Sequence, residues 1–148
     1  MVASLTYYKK DFFDLREKMN DLGKKIWVFP DAFLPLEGEA YKTTNSGNQY
    51  SHESLCIVNS SSSIANLSID FLYEDEDPIE DYKTIIGIKR SLHLRLDKIE
   101  IKGKKLLREK PYSIILKSDI KVVAQLSRLD TTSQYNAFMT SLGWGTDV

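Results

Sequence analysis

Cysteine is almost missing from this sequence. Cys56 is the only one, so no intrachain disulfide can staple the chain, and a reducing compartment fits. Within the apolar run Leu55-Cys56-Ile57-Val58 the thiol reads as a small buried hydrophobe, not a nucleophile. Long apolar runs are also missing. No segment approaches the roughly 20 apolar residues that a membrane-crossing helix needs. Lys9, Lys10, Asp11 and Asp14 break up what would be a signal-peptide core. The expected location is cytoplasmic, and any membrane role would run through a partner. An excess of one charge is lacking too. With 20 Lys and Arg against 21 Asp and Glu, the formal net charge is -1. The chain therefore projects no overall field towards DNA, RNA or an anionic membrane, and a nucleic-acid partner is not expected.

Histidine is scarce, with only His52 and His93. Ser51-His52-Glu53-Ser54-Leu55-Cys56 superficially suggests a metalloprotease, but Cys56 stands where a second histidine is required. On a strand, residues four apart lie roughly 13 Å from each other, too far to share one zinc. The chain has neither a Gly-rich phosphate loop nor a Gly-x-Ser-x-Gly elbow. No cofactor and no enzymatic activity are expected.

What is present suits one compact domain. The chain has 148 residues, 42% of them hydrophobic and 28% charged, which argues against a largely disordered chain. Leu5, Tyr8, Phe12, Leu15, Met19 and Leu22 recur every three or four residues and predict an amphipathic helix over 4–22, with Gly23 as its stop. From Ile26 the signal changes to strands. Leu67, Ile69, Phe71 and Tyr73 alternate with Asn66, Ser68 and Asp70. Leu92, Leu94 and Leu96 alternate with Ser91, His93 and Arg95. This period of two marks sheets with one wet face. Further strands are expected at 26–29, 53–59, 82–88, 112–116 and 121–129, and a long exposed loop at 36–50. Tyr135, Phe138, Met139 and Leu142 suggest a short closing helix over 133–142. The expected fold class is all-β, an antiparallel β-sandwich over 24–148, preceded by a helical extension over 1–23.

Two charged stretches are candidate sites with plainer alternatives. Glu74-Asp75-Glu76-Asp77 offers carboxylates to calcium, but lacks EF-hand spacing and reads better as a solvated turn. Lys98, Lys102, Lys104, Lys105, Arg108 and Lys110 form a conceivable phosphate patch, or an exposed loop protected by lysine. Polar residues in or beside strands are His52, Glu53, His93, Arg95, Gln125, Arg128 and Asp130. They either pair at sheet edges or converge on a small polar ligand.

Several stretches in order resemble the sensory rhodopsin transducer family. They are Trp27 with the segment to Pro35; Ser51-His52-Glu53-Ser54-Leu55-Cys56-Ile57-Val58-Asn59; and Tyr73-Glu74-Asp75-Glu76-Asp77-Pro78. After these come Arg90-Ser91-Leu92-His93-Leu94-Arg95 and Gln125-Leu126-Ser127-Arg128-Leu129-Asp130, with Asn136-Ala137 beyond. The resemblance covers about residues 24–143 and leaves the N-terminal segment outside. Ile85-Ile86-Gly87-Ile88 stands where the family commonly shows Val-Pro. The resemblance implies an all-β sandwich, a homotetramer, and either a small-molecule module, perhaps for sugars, or soluble signalling below a membrane photoreceptor. It also implies Trp27, His52, Glu53, Arg90, His93, Arg95, Gln125, Arg128 and Asp130 as ligand residues. Their donors and acceptors suit hydroxyl groups, and Trp27 offers an apolar face to a ring.

Overall fold

The computed structural model describes Lys18 and residues 21–43 and 47–147. The helix expected over 4–22 lies almost wholly outside these residues. Among the described residues the body is built from twelve strands. They are β1 (Lys24–Phe33), β2 (Tyr41–Thr43), β3 (Gly47–Gln49), β4 (His52–Asn59), β5 (Ala65–Tyr73) and β6 (Ile79–Ile86). Then come β7 (Arg90–Arg95), β8 (Glu100–Ile101), β9 (Lys104–Lys105), β10 (Pro111–Asp130), β11 (Ala137–Leu142) and β12 (Trp144–Thr146). Among the described residues every strand pairing is antiparallel, as the alternating pattern predicts. No helix among them is long and apolar enough to cross a membrane.

β10 organises the architecture. Its 20 residues serve two sheets in turn. The first half, Pro111 to Ser118, pairs with β1 on one side and β5 on the other. The second half, Val123 to Asp130, pairs with β4 and β11. This gives one sheet in the order β12-β1-β10-β5-β6 and another in the order β11-β10-β4-β7. The change of partners occurs where Lys24 pairs with Val122 but Ile26 pairs with Lys117, so β10 runs through three extra residues at the bend. A bulge of this kind lets a strand turn from one sheet into the next. The Trp27 indole N–H ties the bend down by donating to the Lys24 and Val122 carbonyls, at 3.2 and 2.8 Å. Gly23 enters here at φ +94, and a Cβ on it would sit 2.0 Å from the Val122 carbonyl oxygen. Only glycine allows so close an approach of two backbones.

The inward faces of both sheets supply one core. Phe29, Leu55, Ile57, Leu67, Ile69, Phe71, Ile114, Leu116, Ala124 and Leu126 belong to the same buried cluster, with Leu92 and Leu94 packed against it. Inward parity runs Glu53, Leu55, Ile57, Asn59 on β4 and Val122, Ala124, Leu126, Arg128 on β10. Outward parity on the same strands takes His52, Ser54, Cys56, Val58 and Val123, Gln125, Ser127, Leu129.

The expected closing helix over 133–142 is overturned. Ala137–Leu142 is strand β11, paired with β10 from Gln125 to Asp130. A ten-residue helix gains little by itself, whereas β10 without β11 would present a row of unpaired N–H and C=O groups. The apolar residues that suggested a helix face do not share a buried side: Tyr135, Phe138 and Leu142 are exposed. The expected loop over 36–50 contains the β2-β3 hairpin, and the lysine-rich stretch contains the β8-β9 hairpin.

Candidate functional site

The strands carrying His52, His93 and Arg128 are neighbours, in the order β7-β4-β10. Strand parity then divides the implied ligand residues between two faces. Glu53 and Arg128, cross-strand partners, point inward. Glu53 is completely buried. One of its carboxylate oxygens accepts from Arg128 Nε at 3.0 Å and from the Phe33 backbone N–H at 3.1 Å. The other accepts from the Tyr112 hydroxyl at 2.5 Å. The Arg128 guanidinium lies over the Phe33 ring, 5.7 Å from its centroid, and its Nη2 is buried without a hydrogen-bond partner. Burial, then the Glu53 charge and hydrogen bond, hold the Tyr112 hydroxyl well above its usual range, so it remains a donor. A buried ion pair closed by three donors joins β4, β10 and the end of β1 from within.

On the outward face, the sheet register brings other residues side by side. Leu142, Gln125, Cys56 and His93 form one row across β11, β10, β4 and β7. Thr140, Ser127, Ser54 and Arg95 form the next row. The first row and its neighbours Val58, Ser91 and Val123 line a shallow groove of about 220 Å³. Arg95 is engaged by Asp97, with Nε and Nη2 at 2.7 and 2.9 Å from the two carboxylate oxygens. Burial pushes Asp97 up. The Arg95 hydrogen bond and charge, joined by the charges of Lys98 and His52, outweigh it and hold the carboxyl below its usual range. His52 Nδ1 is 2.7 Å from the Tyr50 carbonyl. When Nδ1 carries the proton, this leaves Nε2 as an acceptor.

The remaining implied residues stand apart from both groups. Trp27 holds the β10 bend, its N–H taken by two carbonyls. Arg90 is exposed at the start of β7 and donates to the Lys89 carbonyl. Asp130 accepts from the Thr132 backbone N–H at 2.8 Å and its hydroxyl at 2.6 Å, closing a local turn. A larger hollow of about 520 Å³ lies elsewhere, between the acidic turn at Asp75, Glu76 and Asp77 and the lysines Lys104 and Lys105. Lys110 bridges Asp75 and Glu76 at 2.8 and 3.3 Å, so the acidic turn is matched by an internal cation. Among the described residues, no group of three or more His, Cys, Asp or Glu is placed to hold a metal ion.

Sequence reasoning left out Tyr112, Phe33 and Asn59. Asn59 is buried and donates to the Ser63, Gly87 and Ile86 carbonyls while accepting from Ser61. Parity was the available signal. Asn59 follows Glu53, Leu55 and Ile57 on the inward side, and Tyr112 precedes Ile114 and Leu116. A polar residue at an inward position demands partners.

Comparison with known proteins bears on this arrangement. The family model described as Anabaena sensory rhodopsin transducer matches residues 22–145. A crystal structure of Thermotoga maritima 1070 is 39% identical, with a TM-score of 0.73, over 85% of this chain and 97% of that one. The Anabaena sensory rhodopsin transducer structure has the same fold at 23% identity, with a TM-score of 0.62, over 74% of this chain and 91% of that one. No curated protein matches. The matched span takes in both sheets, the buried Glu53–Arg128 pair and the outward row, and by it this chain belongs to the Anabaena sensory rhodopsin transducer family.

Proposed function

We propose that the chain is a non-enzymatic signal transducer that meets a membrane receptor through the outward face of the β11-β10-β4-β7 sheet. One observation carries this reading. Phe138 and Leu142 stand exposed at the edge of that face, beside a groove edged by Gln125 and His93. They lie two rows apart on β11 with Thr140 between them, and exposed large apolar side chains flanked by polar groups suit a protein-contact surface. Family membership supports the same role. Residues on the inward side, Glu53 and Arg128, act as the frame that holds the face in shape. The chain works in the cytoplasm as an assembly of copies, a tetramer as the resemblance implies. The probe for the test is a sensory rhodopsin in lipid nanodiscs, read by biolayer interferometry. Phe138→Asp with Leu142→Asp removes binding while the melting temperature stays within a few degrees. Binding at the native level by this variant would refute the assignment of the face.

A second reading is favoured by the groove itself. Gln125 and His93 offer directed hydrogen bonds to a small polar ligand, a carbohydrate among the candidates. At about 220 Å³ the groove is smaller than the roughly 300–1,000 Å³ of ordinary ligand pockets, which is why the protein-contact reading comes first. A thermal-shift screen with sugars and phosphorylated metabolites separates the two. A rise in melting temperature that His93→Ala abolishes would favour the small ligand.

A further inference from the structure

The hollow of about 520 Å³ lies where the turn between β5 and β6 meets the β8-β9 hairpin. Its volume falls in the range of small-ligand sites, and it shares no lining residue with the groove on the outward face. Two contacts hold its walls. The Leu107 backbone N–H donates to the Tyr73 hydroxyl oxygen at 3.0 Å, and Lys110 bridges Asp75 and Glu76. Burial raises the Tyr73 hydroxyl above its usual range, against the Leu107 hydrogen bond and with the Glu76 charge, so it keeps a proton to donate. Asp77, Lys104 and Lys105 also line the hollow. Their side chains make no ion pair or hydrogen bond with another described residue. They carry both signs, one carboxylate on the turn and two ammonium groups on the hairpin. Ile79 and Leu107 add apolar wall. A ligand of one sign would satisfy one wall and meet like charge on the other, a cost that a ligand of both signs avoids.

We propose that this hollow binds an acidic amino acid, its ammonium group on Asp77 and its two carboxylates on Lys104 and Lys105. The unpaired groups set the class: one carboxylate calls for one ammonium group, and two ammonium groups call for two carboxylates. The Tyr73 hydroxyl donates a further hydrogen bond, and the aliphatic part of the ligand lies against Ile79 and Leu107. The hollow is roomier than such a ligand, and water bridges the remaining gaps. Each exposed charge contact is weak alone, so recognition comes from the three acting together. The site stands without the receptor reading and without a ligand in the outward groove.

The test is a titration of the full chain with L-glutamate at constant ionic strength, followed by nuclear magnetic resonance at the Leu107 amide. A ligand this small in an open hollow is expected to bind with a Kd on the order of 1 mM. Glutarate, which lacks the ammonium group, and butylamine, which lacks the carboxylates, bind at least about tenfold more weakly. Asp77→Asn weakens glutamate about tenfold and leaves glutarate unchanged. Lys104→Gln with Lys105→Gln removes the response to both. Asp77, Lys104 and Lys105 are exposed, and an unchanged melting temperature shows that these variants stay folded. No shift of the Leu107 amide with glutamate would overturn the proposal. So would glutarate binding as tightly as glutamate, which would reduce the hollow to a patch for any anion. Native-like glutamate binding by Asp77→Asn would overturn it as well. No receptor enters this measurement, so its failure and the failure of the receptor assignment are separate results.

Discussion

Replacing Arg128 by Met tests what the buried cluster does. The substitution keeps an unbranched side chain of similar length but removes the charge that faces Glu53. Glu53 is fully buried and would keep only the Phe33 N–H at 3.1 Å and the Tyr112 hydroxyl at 2.5 Å. Leaving one member of a buried pair without its partner costs about 3–5 kcal/mol. Each kcal/mol lowers the melting temperature of a domain near this size by about 2–4 °C, so the expected fall is about 6–20 °C. Urea unfolding followed by tryptophan fluorescence and circular dichroism measures it, with an unchanged slope as evidence that the denatured state is not involved. Replacing the whole cluster, Arg128→Met with Glu53→Leu and Tyr112→Phe, recovers most of the loss, because apolar groups of similar volume substitute well for a buried ion pair. A loss below about 1 kcal/mol for Arg128→Met, the value of an exposed pair, would refute the framing role. Arg128 would then be available as a ligand residue, as the resemblance implies.

Three further outcomes follow from the same contacts. Tyr112 titrates in the folded protein well above its ordinary value of 10.0, so above pH 10 the unfolded chain loses its proton first. Stability falls as pH rises from 10 towards the folded value, and alkaline titration of Tyr112→Phe shows a shallower decline. Gly23→Ala forces a side chain into a positive φ, at about 1–3 kcal/mol, and drives its Cβ against the Val122 carbonyl; denaturant unfolding measures at least that loss. Asn59→Ala strands the carbonyls it serves, with the bond to Ile86 the buried one. It lowers stability by about 1–3 kcal/mol for that buried group left unpaired, and hydrogen exchange quickens first in the Ser60–Ser63 turn beside it.

The legible parts of this protein are those in which one strand's pattern suffices. Ala65–Tyr73 alternates so regularly that its buried face can be named from the residues alone, and β7 likewise. The same parity, extended through β4 and β10, places Glu53 and Arg128 together and His52, Cys56 and Gln125 on the opposite side. The β11 segment is not legible in the same way, because Tyr135, Phe138, Met139 and Leu142 fit a helical spacing, and nothing local shows that β10 offers an unpaired edge. Trp27 reads as a stacking platform by type. Its actual place follows from the bend that brings the Lys24 and Val122 carbonyls within reach of one indole N–H.

By itself the amino-acid order determined the class of the molecule: antiparallel strands with one wet face, no disulfide, no strong field, and the stretches that mark the family. These depend on each residue and its near neighbours, through the two-residue period of extended chain and the desolvation cost of polar groups. The tertiary structure alone decided that β10 belongs to two sheets, that Tyr112 and Phe33 complete the Glu53–Arg128 pair, and that Leu142, Gln125, Cys56 and His93 share a row. Each depends on register between segments tens of residues apart, set by the joint packing of both sheets on one core rather than by any single strand.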